Sequence, residues 1–177
     1  MRRLVVVGNG KSADVFLRQI QQYKHDFSIT VFGGGVPHRR PAWYRNHGID
    51  LRQDVLITAI DRHARVAKGS DGSRTTFDRL ILATGSSGLI PPGLEARRGV
   101  IVNRSLETSD GYVYAIGDCA EIRDAAWRPS LDQQARLLAE RLVDESLGVE
   151  AHRPIHKLKL LTSPRIAASR TAGELTA

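Results

Sequence analysis

The chain has 177 residues, enough for one domain with a core that needs no disulfide or structural metal. Lys and Arg number 26 against 19 Asp and Glu, a net charge of +7, and the 41% apolar and 25% charged content is that of a globular protein rather than a disordered one. The lone Cys119 excludes a disulfide framework, a Cys-x-x-Cys pair and a cysteine-rich metal centre held by this chain alone, and no apolar run reaches the ~18 residues of a membrane span or a signal-peptide core, so a cytoplasmic location is expected.

Residues 3–7 form an apolar run that stops at Gly8, the pattern of a strand buried on both faces of a parallel sheet. Ala13, Phe16, Leu17 and Ile20 follow at helical spacing, and the β-branched run 28–32 ends at Gly33-Gly34-Gly35. The chain therefore opens as a βαβ unit. Residues 36–48 predict a loop with one helical turn, and 49–52 and 55–60 predict strands. Asp71-Gly72 sits between the strand-like stretches 65–68 and 75–77 and predicts a hairpin. Further strands are expected at 80–83, 100–102 and 113–116, and Leu131, Ala135, Leu138 and Leu142 mark a second helix face. A last strand is expected at 157–161. The fold class is α/β, a parallel sheet carrying an inserted antiparallel β-meander. The expected domain runs 1–162, built from 1–90 and 99–162 joined by a short linker, with a basic, loosely ordered tail at 163–177. The stretch 151–177 holds five basic residues and one acid but no aromatic residue to stack a base, which argues against nucleic acid.

Three glycine turns each end an apolar strand. Gly8-Asn9-Gly10-Lys11-Ser12-Ala13 is a G-x-G-x-x-A sequence between a strand and a helix, the context in which it binds a pyrophosphate. The first glycine makes the tight turn, the second admits the phosphates to the backbone, and the small Ala13 lets helix and strand pack closely. The second turn is Ala83-Thr84-Gly85 and the third Gly117-Asp118, within Gly117-Asp118-Cys119-Ala120-Glu121. Cys119 reads as a small packing residue beside the aspartate. The six histidines are dispersed, and Pro154 separates His152 from His156, so neither a metal pair nor a catalytic histidine is indicated.

In these three ordered motifs the sequence resembles the FAD-binding domain of the pyridine nucleotide-disulfide oxidoreductase-like flavoproteins, most of all the large subunit of NAD(P)H-dependent nitrite reductase and its rubredoxin-reductase-like relatives. The resemblance implies a Rossmann-like three-layer FAD/NAD(P)-binding fold with FAD as the cofactor. Gly8, Gly10, Ser12 and Ala13 would cradle its pyrophosphate, Gly34 and Gly35 would lie along the adenosine ribose, Arg40 would reach a phosphate and Ile57 would lie near the adenine. Ala83, Thr84 and Gly85 would run beside the phosphates and ribityl chain, and Gly117 would turn the chain so that Asp118 binds a ribityl hydroxyl. Backbone N–H groups at Asp132 and Gln133 would face the flavin pyrimidine. No residue has the setting of a general base or nucleophile, so redox chemistry would belong to the flavin.

The sequence departs from that family in three places. The family carries well over a hundred residues of NAD(P)H-binding domain between the second and third turns; here Gly85 to Gly117 spans 32 residues. Glycines stand at 33–35 where the family has an acid for the ribose, and the loop from Pro37 to Arg45 is short. The missing acid, with Arg39 and Arg40 nearby, keeps open NADP(H) or another adenine nucleotide as the ligand. A ligand-free, partner-binding remnant is the further alternative. The missing domain leads to the expectation of a homodimer or a redox partner protein.

Overall fold

The computed structural model describes residues 1–87, 94–96, 99–124 and 126–148. The predicted strand at 157–161 and the basic tail lie outside the described residues.

Strand β1 (Arg2–Val7) is the centre of a five-stranded parallel sheet. Its residues Leu4–Val7 are buried, as an apolar run covered on both faces requires. Helix α1 (Lys11–Ile20) leads back to β2 (Phe27–Gly33), completing the βαβ unit. The short helix α2 (Pro41–Asn46) and β3 (Asp50–Gln53) extend the sheet outward. β4 (Ile57–Asp61), β5 (Val66–Gly69) and β6 (Arg74–Thr76) form a separate antiparallel meander. β7 (Arg79–Leu82) returns beside β1, and β9 (Val113–Ala115) pairs with β7, giving the order β3-β2-β1-β7-β9. β8 (Val100–Val102) pairs in parallel with β10 (Ala120–Ile122), a strand the sequence pattern does not announce. Helix α3 (Leu131–Ser146) packs on α1 and buries Ala135, Leu138, Ala139, Leu142 and Val143. The α/β class, the parallel sheet and the inserted meander are as the sequence predicts.

Charged contacts fix both ends of this frame. At the C-terminal end of α3, Glu145 accepts from Arg79 Nε at 2.8 Å, from the Tyr114 hydroxyl at 3.2 Å and from Arg141 Nε at 3.2 Å. Burial, then the Glu145 charge, push the Tyr114 hydroxyl up to about 12. At the start of β1, Arg3 Nε and Nη2 donate to Asp78 at 3.1 and 3.0 Å, and the Arg3 backbone N–H donates to it at 2.7 Å. The Arg3 side-chain hydrogen bonds are the main reason the Asp78 carboxyl is lowered to about 2.

A lowered carboxylate stabilises the fold above its unfolded pKa and loses that contribution as pH falls through the folded one. Asp78 therefore contributes fully above about pH 4 and loses its share on the way to about pH 2. Arg3 is half exposed, which limits this share to about 1–2 kcal/mol. Asp78→Asn is expected to flatten the unfolding free energy between those pH values, as measured by urea titration at several pH values. An unchanged acid limb would contradict the assignment.

Candidate functional site

The three glycine turns meet at the C-terminal edge of the parallel sheet, where open α/β folds place their ligands. They meet because Gly8 and Gly117 lack side chains at the points of contact. Gly8 has φ +116°, and a Cβ there would lie 2.3 Å from the carbonyl oxygen of Ala83. Gly117 has φ +77°, and a Cβ there would lie 2.1 Å from Ser12 Oγ. The first turn thus presses on the second, and the third presses on the start of α1. The Gly117 N–H donates to Gln134 Oε1 at 3.0 Å, so α3 also holds the third turn.

Between the turns lies a cavity of about 590 Å³, a size that suits a small-molecule ligand. Gly8, Gly10 and Ser12 of the first turn line it, as do Gly34, Ile57, Ala83, Thr84, Gly85 and Asp118. These nine predicted positions come from five separate stretches of chain and are brought together by the sheet. Ala13 is fully buried and packs α1 rather than facing the cavity, the role its small size predicts. Gly35, Arg40, Gly117, Asp132 and Gln133 are not among the lining residues. Gly117 acts through its fit against Ser12.

The N-terminus of α3 has its own cap. Ser130 Oγ accepts from the Gln133 N–H at 3.3 Å, and Gln133 Oε1 accepts from the Ser130 N–H at 2.8 Å, a complete capping box. The Gln133 N–H is thereby taken, which leaves Asp132 as the residue of that predicted pair with an uncommitted N–H.

The sequence pattern also misses lining residues: Val7, Asn9, Lys11, Phe32, Gly33, Val55 and Leu56. Asn9 and Lys11 are the variable positions of the first glycine motif, so the motif itself is the signal that locates them. Val55 and Leu56 carry none beyond preceding a strand.

Two polar atoms in the lining have no partner in the protein, Asn9 Nδ2 and Thr84 Oγ1, and both are buried. An unmet buried donor or acceptor costs about 1–3 kcal/mol, which a bound polar ligand removes. Arg39, by contrast, is committed elsewhere. Its Nε donates to the buried carboxylate of Asp14 at 2.6 Å, and Arg18 approaches the other Asp14 oxygen at 3.3 Å. The Asp14 contacts raise the pKa of Arg39. The expectation that Arg39 serves a 2′-phosphate is therefore corrected: it neutralises a buried acid on α1. Arg40 is exposed at the N-terminus of α2. Cys119 is buried, and its thiol reaches the carbonyl oxygens of Leu82 and Ile116 at 3.2 and 3.3 Å, which fits a packing role. Among the described residues no cluster of His, Cys, Asp and Glu could hold a metal, and no helix is long and apolar enough to cross a membrane.

Residues 42–139 match the model of a family described as pyridine nucleotide-disulphide oxidoreductase. A rubredoxin-NAD(+) reductase of Acinetobacter baylyi is 29% identical over 167 residues, covering 84% of this chain and 42% of the relative. The large subunit of an NAD(P)H nitrite reductase of Klebsiella oxytoca is 40% identical over 72 residues, covering 38% of this chain and 7% of the relative. The crystal structure of a covalent putidaredoxin reductase–putidaredoxin complex matches with a TM-score of 0.69 at 15% identity, over 80% of this chain and 75% of that one, which shows a shared fold. The chain spans less than half the length of these curated relatives.

Proposed function

The chain belongs to the pyridine nucleotide-disulphide oxidoreductase family, and on that premise we propose that its cavity binds FAD and that the chain serves redox electron transfer with a protein partner. One observation carries the reading: three glycine turns enclose a cavity in which Asn9 Nδ2 and Thr84 Oγ1 are buried without partners. A dinucleotide offers the acceptors and hydroxyls these atoms lack.

The residues present suit that group. Gly10 leaves open space at the N-terminus of α1, so a pyrophosphate reaches the first free N–H groups and the positive end of the helix. Ser12 stands in the first turn of the same helix. Gly34, Gly35 and Ile57 suit the adenosine end, where Val55 and Leu56 add apolar surface for the adenine. Arg40, exposed at the N-terminus of α2, is the candidate for an outer phosphate contact. Thr84 and Gly85 suit the phosphates and ribityl chain, with Ala83 buried beneath them. The Asp118 carboxylate accepts a ribityl hydroxyl, held in position by Gly117 and Gln134. The Asp132 N–H, at the N-terminus of α3 and outside the cavity lining, would be the group offered to the flavin pyrimidine, where the α3 dipole favours negative charge. Bound FAD would supply the electron transfer; the protein's own residues bind it, orient it and exclude water from it.

The test is direct. The purified protein is expected to be yellow, and its heat-released pigment to chromatograph as FAD. Asp118→Ala is expected to lower flavin occupancy at least about tenfold, the loss of one or two charge-assisted hydrogen bonds. Asp118 is exposed, so the circular dichroism should not change. Full flavin content in the variant would remove Asp118 from the site.

A further inference from the structure

Dinucleotide sites of this topology commonly place an acid for the adenosine ribose just past the second strand. Here Gly33-Gly34-Gly35 stands there, and the space beside it is filled from another element. A Cβ at Gly33 would lie 2.3 Å from Asn9 Cγ and 2.7 Å from Asn9 Nδ2, so the Asn9 carboxamide occupies the place where a side chain on Gly33 would begin. Asn9 is only 7% exposed, lines the cavity, and has its Nδ2 unpaired. The backbone around it is pinned: the Gly8 N–H donates to Phe32 O at 2.6 Å, and the His38 N–H donates to Asn9 O at 2.9 Å. A buried amide donor held this firmly at the wall of a cavity has the ligand as its remaining partner.

The charge of the lining adds a second observation. Its charged residues are Lys11 and Asp118. Lys11 opens α1, directly after Gly10, and among the described residues it has no hydrogen bond or ion pair.

Resting on the reading that the cavity holds an adenine dinucleotide, we propose that the Asn9 carboxamide contacts the adenosine ribose in place of an acid on β2, so that the subsite accepts a ribose with a 2′-phosphate as readily as one with a free 2′-hydroxyl. A carboxylate accepts from the hydroxyl and repels a phosphate, and that repulsion is the source of its selectivity. An amide N–H donates to a hydroxyl oxygen and, with charge assistance, to a phosphate oxygen. The Lys11 ammonium on the same lining favours the added negative charge. Arg39 is not required, since it stays on Asp14. The ligand class is therefore adenine dinucleotides with or without a 2′-phosphate.

The test titrates the full chain, freed of bound nucleotide, with ADP-ribose and with 2′-phospho-ADP-ribose by calorimetry, and separately with FAD. 2′-Phospho-ADP-ribose is expected to bind at least as tightly as ADP-ribose. Asn9→Asp restores a carboxylate and is expected to weaken the 2′-phosphorylated ligand at least about tenfold relative to the other. Gly34→Glu restores it from β2 without touching the buried amide; its Cβ meets only Leu56 Cδ2, at 2.9 Å, the end of an exposed side chain. It is expected to shift the preference in the same direction. A wild-type preference above about tenfold against the 2′-phosphate, or an unmoved ratio in both variants, overturns this inference while leaving FAD binding intact. Failure of the folded chain to bind FAD and both ADP-riboses overturns the reading beneath it as well.

Discussion

Gly8→Ala is expected to lower folding stability by about 3–5 kcal/mol, combining the cost of a left-handed backbone with that of overpacking. Gly8 has φ +116°, and the added methyl would stand 2.3 Å from Ala83 O and 2.7 Å from Ala83 C. Both obstacles are backbone. Neither retreats easily, because Val7 is in register with Leu82 and the Ala83 N–H donates to Val7 O at 2.8 Å. Relief would separate β1 from β7 at the floor of the cavity, so ligand binding should go too. Gly10→Ala supplies the contrast. Gly10 has φ −83° and nothing within 4 Å of its Cβ position, so that variant should keep its stability and lose affinity, the methyl standing where phosphate approaches. Urea unfolding of both variants beside their flavin content separates the two effects. A Gly8→Ala protein within about 1 kcal/mol of wild type would refute the contact between the first two turns.

The second large effect concerns electron supply. Oxidation of NADH or NADPH by the flavin-loaded chain is expected to be slow and to rise linearly with cofactor concentration. Hydride transfer depends on holding the reacting atoms about 3–3.5 Å apart, and that positioning supplies much of the rate. In the sequence, the 32 steps from Gly85 to Gly117 leave no room for a second dinucleotide-binding domain to do so. With no such domain in that stretch, self-association or a redox partner is expected. Stopped-flow absorbance and light scattering measure the two consequences. Rapid, saturable oxidation by a strictly monomeric chain would contradict both.

Most of the fold was legible in the sequence because its strands are apolar runs that stop at glycine. Leu4–Val7, Leu80–Leu82 and Val113–Ala115 need no context to be read as buried strands. The strand at Ala120–Ile122 was not legible: it is three half-buried residues whose pairing with Val100–Val102 depends on where two distant segments dock. At the site, motifs locate the glycines and Asp118, since tight turns and helix N-termini leave a compositional trace. They place Asn9 in the first turn but do not announce its role, which arises from what Gly33 lacks, on another strand. They misdirect at Arg39 for the same reason. An arginine beside a nucleotide motif suggests a phosphate, and only packing reveals that Asp14, buried on α1, takes it first.

The fit of Gly117 against Ser12 bears on the order in which the protein assembles. The two residues are far apart in the chain, and the cavity wall between them is complete only once β9 and α3 have docked. Its lining begins at Val7 and ends at Asp118, so no early fragment of the growing chain contains the site. Contacts of such long sequence separation form late and slow folding. On the proposed reading, uptake of the nucleotide would come last in maturation, and a ligand at a hundred times its dissociation constant would then add about 2.7 kcal/mol to the finished fold.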